Sequence, residues 1–210
     1  MGLFDFLKKP SHLTLSLKEY GHASADWSIN LAPSLAKSIS QCACAPQGSS
    51  SLALSIKGSP FTAQVIFTGL YAACYLVYAT HYLKFSQDAT SAEKIRDGLM
   101  DGLLALNYPP QVTTNKEKEG LANYILDISI ELADAIVHDI QVSNPRQEIL
   151  YTLVVGRFNK AFKPKNGFSE NELFILQPLI MSVRTDLFMI LMNTHKRMDN
   201  SIQIQLPIDC

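Results

Sequence analysis

Charge is what this chain has least of. Asp, Glu, Lys and Arg make up 18% of its 210 residues, against roughly 25% in ordinary soluble domains. The few charges nearly cancel, 18 basic against 19 acidic, for a formal net charge of −1 and a pI near 6.5. A globally basic nucleic-acid binder is therefore excluded. Disorder as the dominant state is excluded too, because it needs low hydrophobicity and high net charge, and 47% of these residues are hydrophobic. Cysteine is sparse. Cys42 and Cys44 form one C-x-C with no second pair to complete a zinc quartet, while Cys74 lies in an apolar run and Cys210 at the end. Four irregularly placed thiols suit a reduced, cytoplasmic protein. Recognised catalytic motifs are missing: there is no phosphate-binding G-x-x-x-x-G-K-[ST], no G-x-G-x-x-G, no H-E-x-x-H and no G-x-S-x-G. The histidines (12, 22, 81, 138 and 195) are scattered.

A chain of this length buries one sizeable core. Its mean hydropathy of +0.07, with so little charge, points to apolar surface hidden by a partner, a ligand or a membrane. The start, Met1-Gly2-Leu3-Phe4-Asp5-Phe6-Leu7-Lys8-Lys9, places its lysines after the apolar residues, the reverse of a signal peptide, and Phe6 stands where myristoylation wants Ser or Thr. Residues 2–9 are read as an amphipathic turn that docks on its own domain, with membrane contact as the alternative. Phe61 to Leu83 carries no Asp, Glu, Lys or Arg and is long enough to span a bilayer. Its tyrosines are spread along its length instead of gathered at its ends, so it reads as a buried core helix.

Helix punctuation is legible from residue 59 onward. Ser59-Pro60 opens a helix to about Phe85. Thr90-Ser91-Ala92-Glu93 and Thr114-Asn115-Lys116-Glu117 read as capping boxes, for helices ending before Pro109-Pro110 and near Val142. Asn144-Pro145-Arg146-Gln147 caps a helix ending before Pro164. Ser169-Glu170-Asn171-Glu172 caps a last one, to about Met198 and kinked at Pro178. Before residue 59 the pattern is weaker. Gly21 and Pro33 divide Leu17–Ser40 into two short helices, and a Ser-rich loop follows. Leu13, Leu15 and Leu17 alternate, as do Leu52, Leu54 and Ile56, so the two could pair as a ribbon. Ile202, Ile204 and Leu206 alternate in an extended tail. The expected fold is all-α, a bundle of six or seven helices around a long central apolar helix at about 60–85. Residues 1–58 form a less regular segment packed on it, 59–200 the bundle, and 201–210 the tail.

Four constellations could carry function. Tyr71, Tyr75, Tyr78 and Tyr82 fall at i, i+4, i+7 and i+11, on one helical face. Stacked phenols combine apolar area with hydroxyls that need partners, which a protein interface or a ligand pocket supplies, as does an ordinary core face. Ile66, Gly69, Ala73, Leu76 and Thr80 leave the opposite face small enough for close packing. Asp127, Glu131, Asp134 and His138 repeat the same spacing on the next long helix, away from Ile125, Ile128, Leu132, Ile136 and Ile140. Carboxylates and imidazole so spaced can hold a metal, with Glu19-x-x-His22 as a second element, although a solvated helix face shows the same pattern. Arg184 shares an apolar face with Ile180, Leu187, Phe188 and Leu191. It needs a carboxylate, for which the 127–134 stripe is the candidate, or an anionic ligand. Finally, Arg157-Phe158-Asn159-Lys160-Ala161-Phe162-Lys163-Pro164-Lys165 mixes cations with aromatics, a pattern that grips phosphate or simply ends a helix.

The combined expectation is a non-enzymatic, cytoplasmic interaction or regulatory domain. It forms a homodimer through either the tyrosine face or the Met-rich 181–192 surface, and needs no cofactor and no nucleic acid. The alternative is a small-molecule or metal-binding helical protein, with a pocket lined by the tyrosines, Arg184 and the helix carboxylates.

Overall fold

The computed structural model describes residues 12–42, 51–108, 112–142, 149–162, 168 and 176–206. Among them are seven α-helices: α1 (Leu17–Cys42), α2 (Ser51–Gly58), α3 (Pro60–Val77), α4 (Ala89–Ala105), α5 (Asn115–Gln141), α6 (Leu150–Phe162) and α7 (Leu176–Thr194). Three short strands, β1 (His12–Ser16), β2 (His195–Met198) and β3 (Ser201–Gln205), form an antiparallel sheet in the order β1-β3-β2. The protein is an all-α bundle with this small sheet joining its two ends.

The centre is α3, where every residue from Val65 to Val77 is buried. Pro60–Tyr82 is long and apolar enough to cross a membrane by length and composition, and 78% of its most apolar window is buried within the protein itself. Its small face takes α5: a Cβ on Gly69 would stand 2.4 Å from the Ile128 side chain. After Val77 the helix widens into a π-helical turn, Tyr78–Tyr82, closed by the Leu83 N–H donating to the Tyr78 carbonyl at 2.9 Å. Lys84 then takes a left-handed conformation at φ 60°.

The N-terminal half departs from the sequence expectation. Residues 17–42 form one helix, with Gly21 and Pro33 inside it. Gly21 does not break the helix, because it is where α4 meets it. An added Cβ would stand 2.0 Å from the Ile95 carbonyl oxygen. Reciprocally, a Cβ on Gly98 would come within 1.9 Å of the Lys18 carbonyl oxygen, and one on Gly102 within 2.5 Å of that of His22. The two helices touch backbone to backbone. Pro33 sits on the exposed side, while Ala32, Leu35, Ala36 and Ile39 bury the other and carry the helix through.

Other boundaries also moved. Ser16 and Glu19 form a capping box at the start of α1: Glu19 Oε2 accepts from the Ser16 N–H at 2.8 Å, and the Glu19 N–H donates to Ser16 Oγ at 3.3 Å. The cap of α4 is Asp88 and not Thr90, since Asp88 Oδ1 accepts from the Thr90 N–H at 3.0 Å. Thr114 and Glu117 do form a capping box. The expected ribbon forms with a different partner. Leu52–Ile56 belongs to α2, and β1 pairs with the tail, Leu13 opposite Ile204 and Leu15 opposite Ile202. The last helix stops at Thr194, where β2 begins. The caps expected at 144–147 and 169–172 lie outside the described residues, as do residues 2–9 and Cys210; Pro178 stands in the opening turn of the described part of α7.

The glycine contacts generate a paired prediction. Gly98→Ala must push α1 away from α4 and should cost about 3 kcal/mol, a fall in Tm of about 6–12 °C. Gly120, mid-helix in α5 with nothing within 4 Å of an added Cβ, should instead gain about 0.5–1 kcal/mol on replacement by Ala. Thermal unfolding by circular dichroism reads both.

Candidate functional site: a buried aromatic and polar cluster

The tyrosine stripe faces inward. Tyr71, Tyr75 and Tyr78 are 9%, 6% and 3% exposed, and only Tyr82, at 40%, reaches solvent. Their surroundings come from both ends of the chain. From α1, Tyr20 and Trp27 pack edge to face at 5.9 Å between ring centroids, and Trp27 meets Tyr75 at 5.3 Å. From the start of β2, the His195 ring stands 5.8 Å from Tyr20, 6.1 Å from Trp27 and 6.0 Å from Tyr78. Tyr82 stacks on Tyr78 at 5.7 Å and abuts Phe188 of α7 at 5.1 Å. Rings this close fill one another's space, so the cluster is a packed seam between α1, α3 and the sheet.

Its polar atoms are unevenly served. The Tyr20 hydroxyl, Arg184 Nη1 and His195 Nε2 are all buried without a hydrogen-bond partner among the described residues. Burial drives the hydroxyls of Tyr20 and Tyr75 well above the usual phenol range, helped in Tyr20 by its tyrosine neighbours. Burial also pushes the Cys74 thiol up to about 12, opposed by the nearby Arg184 guanidinium, so Cys74 stays an unreactive thiol. The His195 imidazole is held down to about 4, again by burial, and is neutral at pH 7.

The helix carboxylates are not where a metal site needs them. Asp127, Glu131, Asp134 and His138 share one face of α5, but Asp127, Asp134 and His138 are exposed. Glu131 is taken by Arg157 of α6, whose Nε donates to Oε2 at 2.9 Å and whose Nη2 donates to the same oxygen. None of the 127–134 carboxylates expected to neutralise Arg184 does so, Glu131 being engaged by Arg157 and Asp127 and Asp134 exposed, and Arg184 makes no ion pair among the described residues. Glu19 and His22 line a separate cleft with Lys18 and Asp101, and Glu19 is already the cap of α1. Among the described residues no group of three His, Cys, Asp or Glu side chains is placed to hold a metal ion. In the basic segment, Phe158 is buried against Phe67 at 5.3 Å and stacks on Phe162 at 5.7 Å. Arg157 is the ion-pair partner, and Lys163 and Lys165 lie outside the described residues.

Sequence reading missed Tyr20, Trp27 and Asp139. Tyr20, Ser24 and Trp27 repeat at i, i+4 and i+7, a face hidden by reading Gly21 as a breaker. Asp139 interrupts the apolar face of α5 and is buried, while Ile140 is 37% exposed. Its Oδ1 accepts from the Ile149 N–H at 2.8 Å and its Oδ2 from the Leu150 N–H at 3.0 Å, satisfying the start of α6. A lone carboxylate on a buried stripe was the available signal.

Two substitutions separate the satisfied from the unsatisfied groups. Asp139→Ala leaves the buried Leu150 N–H and the half-exposed Ile149 N–H without their acceptor and should cost about 2 kcal/mol in urea unfolding. Tyr20→Phe keeps the ring and removes an unpartnered hydroxyl, so stability should hold or rise by about 1 kcal/mol. No protein-family model, curated protein or solved structure matches the chain significantly.

Proposed function

We propose that this chain is a non-enzymatic, cytoplasmic helical interaction protein that self-associates through the outer face of α7. One observation carries the reading. α7 has a single Arg and a single Asp, Arg184 and Asp186, across Leu176–Thr194, and it buries Ile180, Val183, Leu187, Phe188 and Leu191 inside the bundle. Yet Met189, Ile190 and Met192 stand 52%, 57% and 53% exposed on its other side. Polar Ser182, Thr185 and Asp186 occupy the exposed side one turn earlier, so the uncovered apolar patch is confined to the last two turns of the helix, and an exposed apolar cluster there is the kind of surface a partner covers. Leu31 of α1, 37% exposed, adjoins Ile190 in a groove of about 270 Å³ floored by Tyr71 and Leu35 and edged by Ser34, Ser38, Ser182 and Asp186, so the surface continues onto a second helix.

A second copy of the chain is the occupant that this face fits. The methionine and isoleucine patch itself carries no charge, so around a two-fold axis its centre meets itself without like-charge repulsion, with Asp186 left at its edge. Methionine side chains also adapt to an imperfect match. The inward packing of Tyr71, Tyr75 and Tyr78 supports α7 over the tyrosine stripe as the associating surface. A free, buried Cys74 suits the reducing cytoplasm.

Sedimentation velocity should find a dimer at micromolar concentration. Met189→Lys with Met192→Lys, both on exposed positions, should keep the far-ultraviolet circular dichroism and weaken the dimer at least tenfold. A wild-type monomer at about 100 μM, or a dimer indifferent to the two lysines, rejects the reading.

A further inference from the structure

The sheet closes the two ends of the chain over the aromatic cluster. Because the β2–β3 turn is two residues long, Met198 and Ser201 are its hydrogen-bonded closing pair. Residues alternate sides along each strand. Two rows therefore face the bundle, Leu13–Ile204–His195 and Leu15–Ile202–Arg197, and Ile202 and Ile204 are buried. Besides the Ser16–Glu19 capping box where β1 enters α1, two side chains of β2 fix the sheet to the helical body among the described residues. Arg197 Nη1 donates to the Leu83 and Lys84 carbonyls, both at 2.9 Å, and its guanidinium lies 4.3 Å over the Phe85 ring. The other attachment is His195, inserted among Tyr20, Trp27 and Tyr78.

The tautomer of His195 follows from its neighbour. Thr194 Oγ1 donates its proton to the Ile190 carbonyl at 2.7 Å, so toward His195 Nδ1, 2.8 Å away, it acts as acceptor. The ring proton is then on Nδ1, and the buried Nε2 carries a bare lone pair. A second proton has to arrive there. The groups around the ring are Tyr20 and Trp27 from α1, Tyr78 from the end of α3, and Thr194 from α7. Lys196 and Arg197 follow it on β2, and His12 and Lys196 line the cleft beside it. These neighbours are neutral or cationic, and no described carboxylate pairs with the ring. An imidazolium here would have no counter-charge.

We propose that the three-stranded sheet is an acid-released latch: protonation of His195 expels the ring from the aromatic cluster and frees β1, β2 and β3 from a helical body that stays folded. Release would uncover Leu15, Ile202 and Ile204 together with the Tyr20, Trp27 and Tyr78 rings, and extend the apolar surface that Leu13, 40% exposed, already begins. The sign is set by burial. A histidine held at about 4 when docked and returning to about 6.5 when released stabilises the closed state fully above pH 6.5. That stabilisation is lost as pH falls from 6.5 toward 4, and at pH 4.5 the opening equilibrium stands about 60-fold above its value at pH 7.

Hydrogen exchange of the intact chain, corrected for intrinsic rates, tests this at pH 7 and pH 4.5. Amides of 12–16 and 195–205 should lose protection by about 60-fold between the two, while those of α3 and α5 keep theirs. Emission from Trp27, the sole tryptophan, should shift over the same range. His195→Phe retains an aromatic ring that cannot be protonated and should abolish both responses. Strand protection independent of pH, helices opening together with the strands, or an unchanged acid response in His195→Phe each overturns the proposal. Should that variant not fold, the wild-type imidazole resonances decide. A His195 titrating near 6.5 refutes the latch, and one titrating below 5 with release of the strands upholds it.

Discussion

The close crossing of α1 and α4 sets the rest of the arrangement. Gly21, Gly98 and Gly102 remove the side chains that would hold two helices apart, and main chain meets main chain at Lys18, His22 and Ile95. Contact at that distance fixes the rotation of α1 as well as its position, because only one strip of the helix lacks side chains there. Fixing the rotation puts Tyr20 and Trp27 on the side that meets Tyr75. The same rotation leaves Lys18 outside, where it bridges to Asp101 of α4 at 2.7 Å. That exposed pair contributes little. The glycine contact is the term that decides the register.

From that crossing the molecule divides its polar groups into two classes. Asp139, Glu131 and Glu19 each reach across to something that needs an acceptor: the start of α6, the Arg157 guanidinium and the start of α1. These carboxylates tie elements together. The groups in the aromatic cluster behave differently. Tyr20 and His195, and Arg184 nearer Cys74, keep buried polar atoms without partners among the described residues, and an unpartnered buried donor or acceptor costs more than an ordinary hydrogen bond returns. Two of these groups, Tyr20 and His195, meet where the sheet joins the bundle, so desolvation without compensation is concentrated in that seam. The surface proposed for self-association and the proposed latch both adjoin it, one on α7 and one at the residue that follows it.

Much of the architecture was legible because local physics wrote it. Thr114-x-x-Glu117 starts α5 by answering the unpaired N–H groups of a first turn, and Pro60 starts α3 with a φ already suited to a helix, although the Ser59 side chain makes no cap. The all-apolar run through α3 had to be covered on every side. The N-terminal half was misread for the opposite reason. Gly21 and Pro33 are poor helix residues in isolation, and only α4 pressing on Gly21 and the buried strip from Ala32 to Ile39 turn residues 17–42 into one helix. Thr90 lost its capping role to Asp88, two residues earlier, where both oxygens find donors.

The candidate sites divide along the same line. Periodicity alone placed Tyr71, Tyr75, Tyr78 and Tyr82 on one face, and Asp127, Glu131, Asp134 and His138 on another, because the helix repeat dictates which residues align. What lies opposite each face is a long-range matter. Tyr20 and His195 are 175 positions apart in the chain, and no local rule brings them to one cluster. Helix caps, helix faces and the all-α class were the sequence's own to determine, being consequences of neighbours within a few turns. Whether a stripe is core, surface or seam was decided only by the tertiary structure, because burial depends on what the far ends of the chain bring to it.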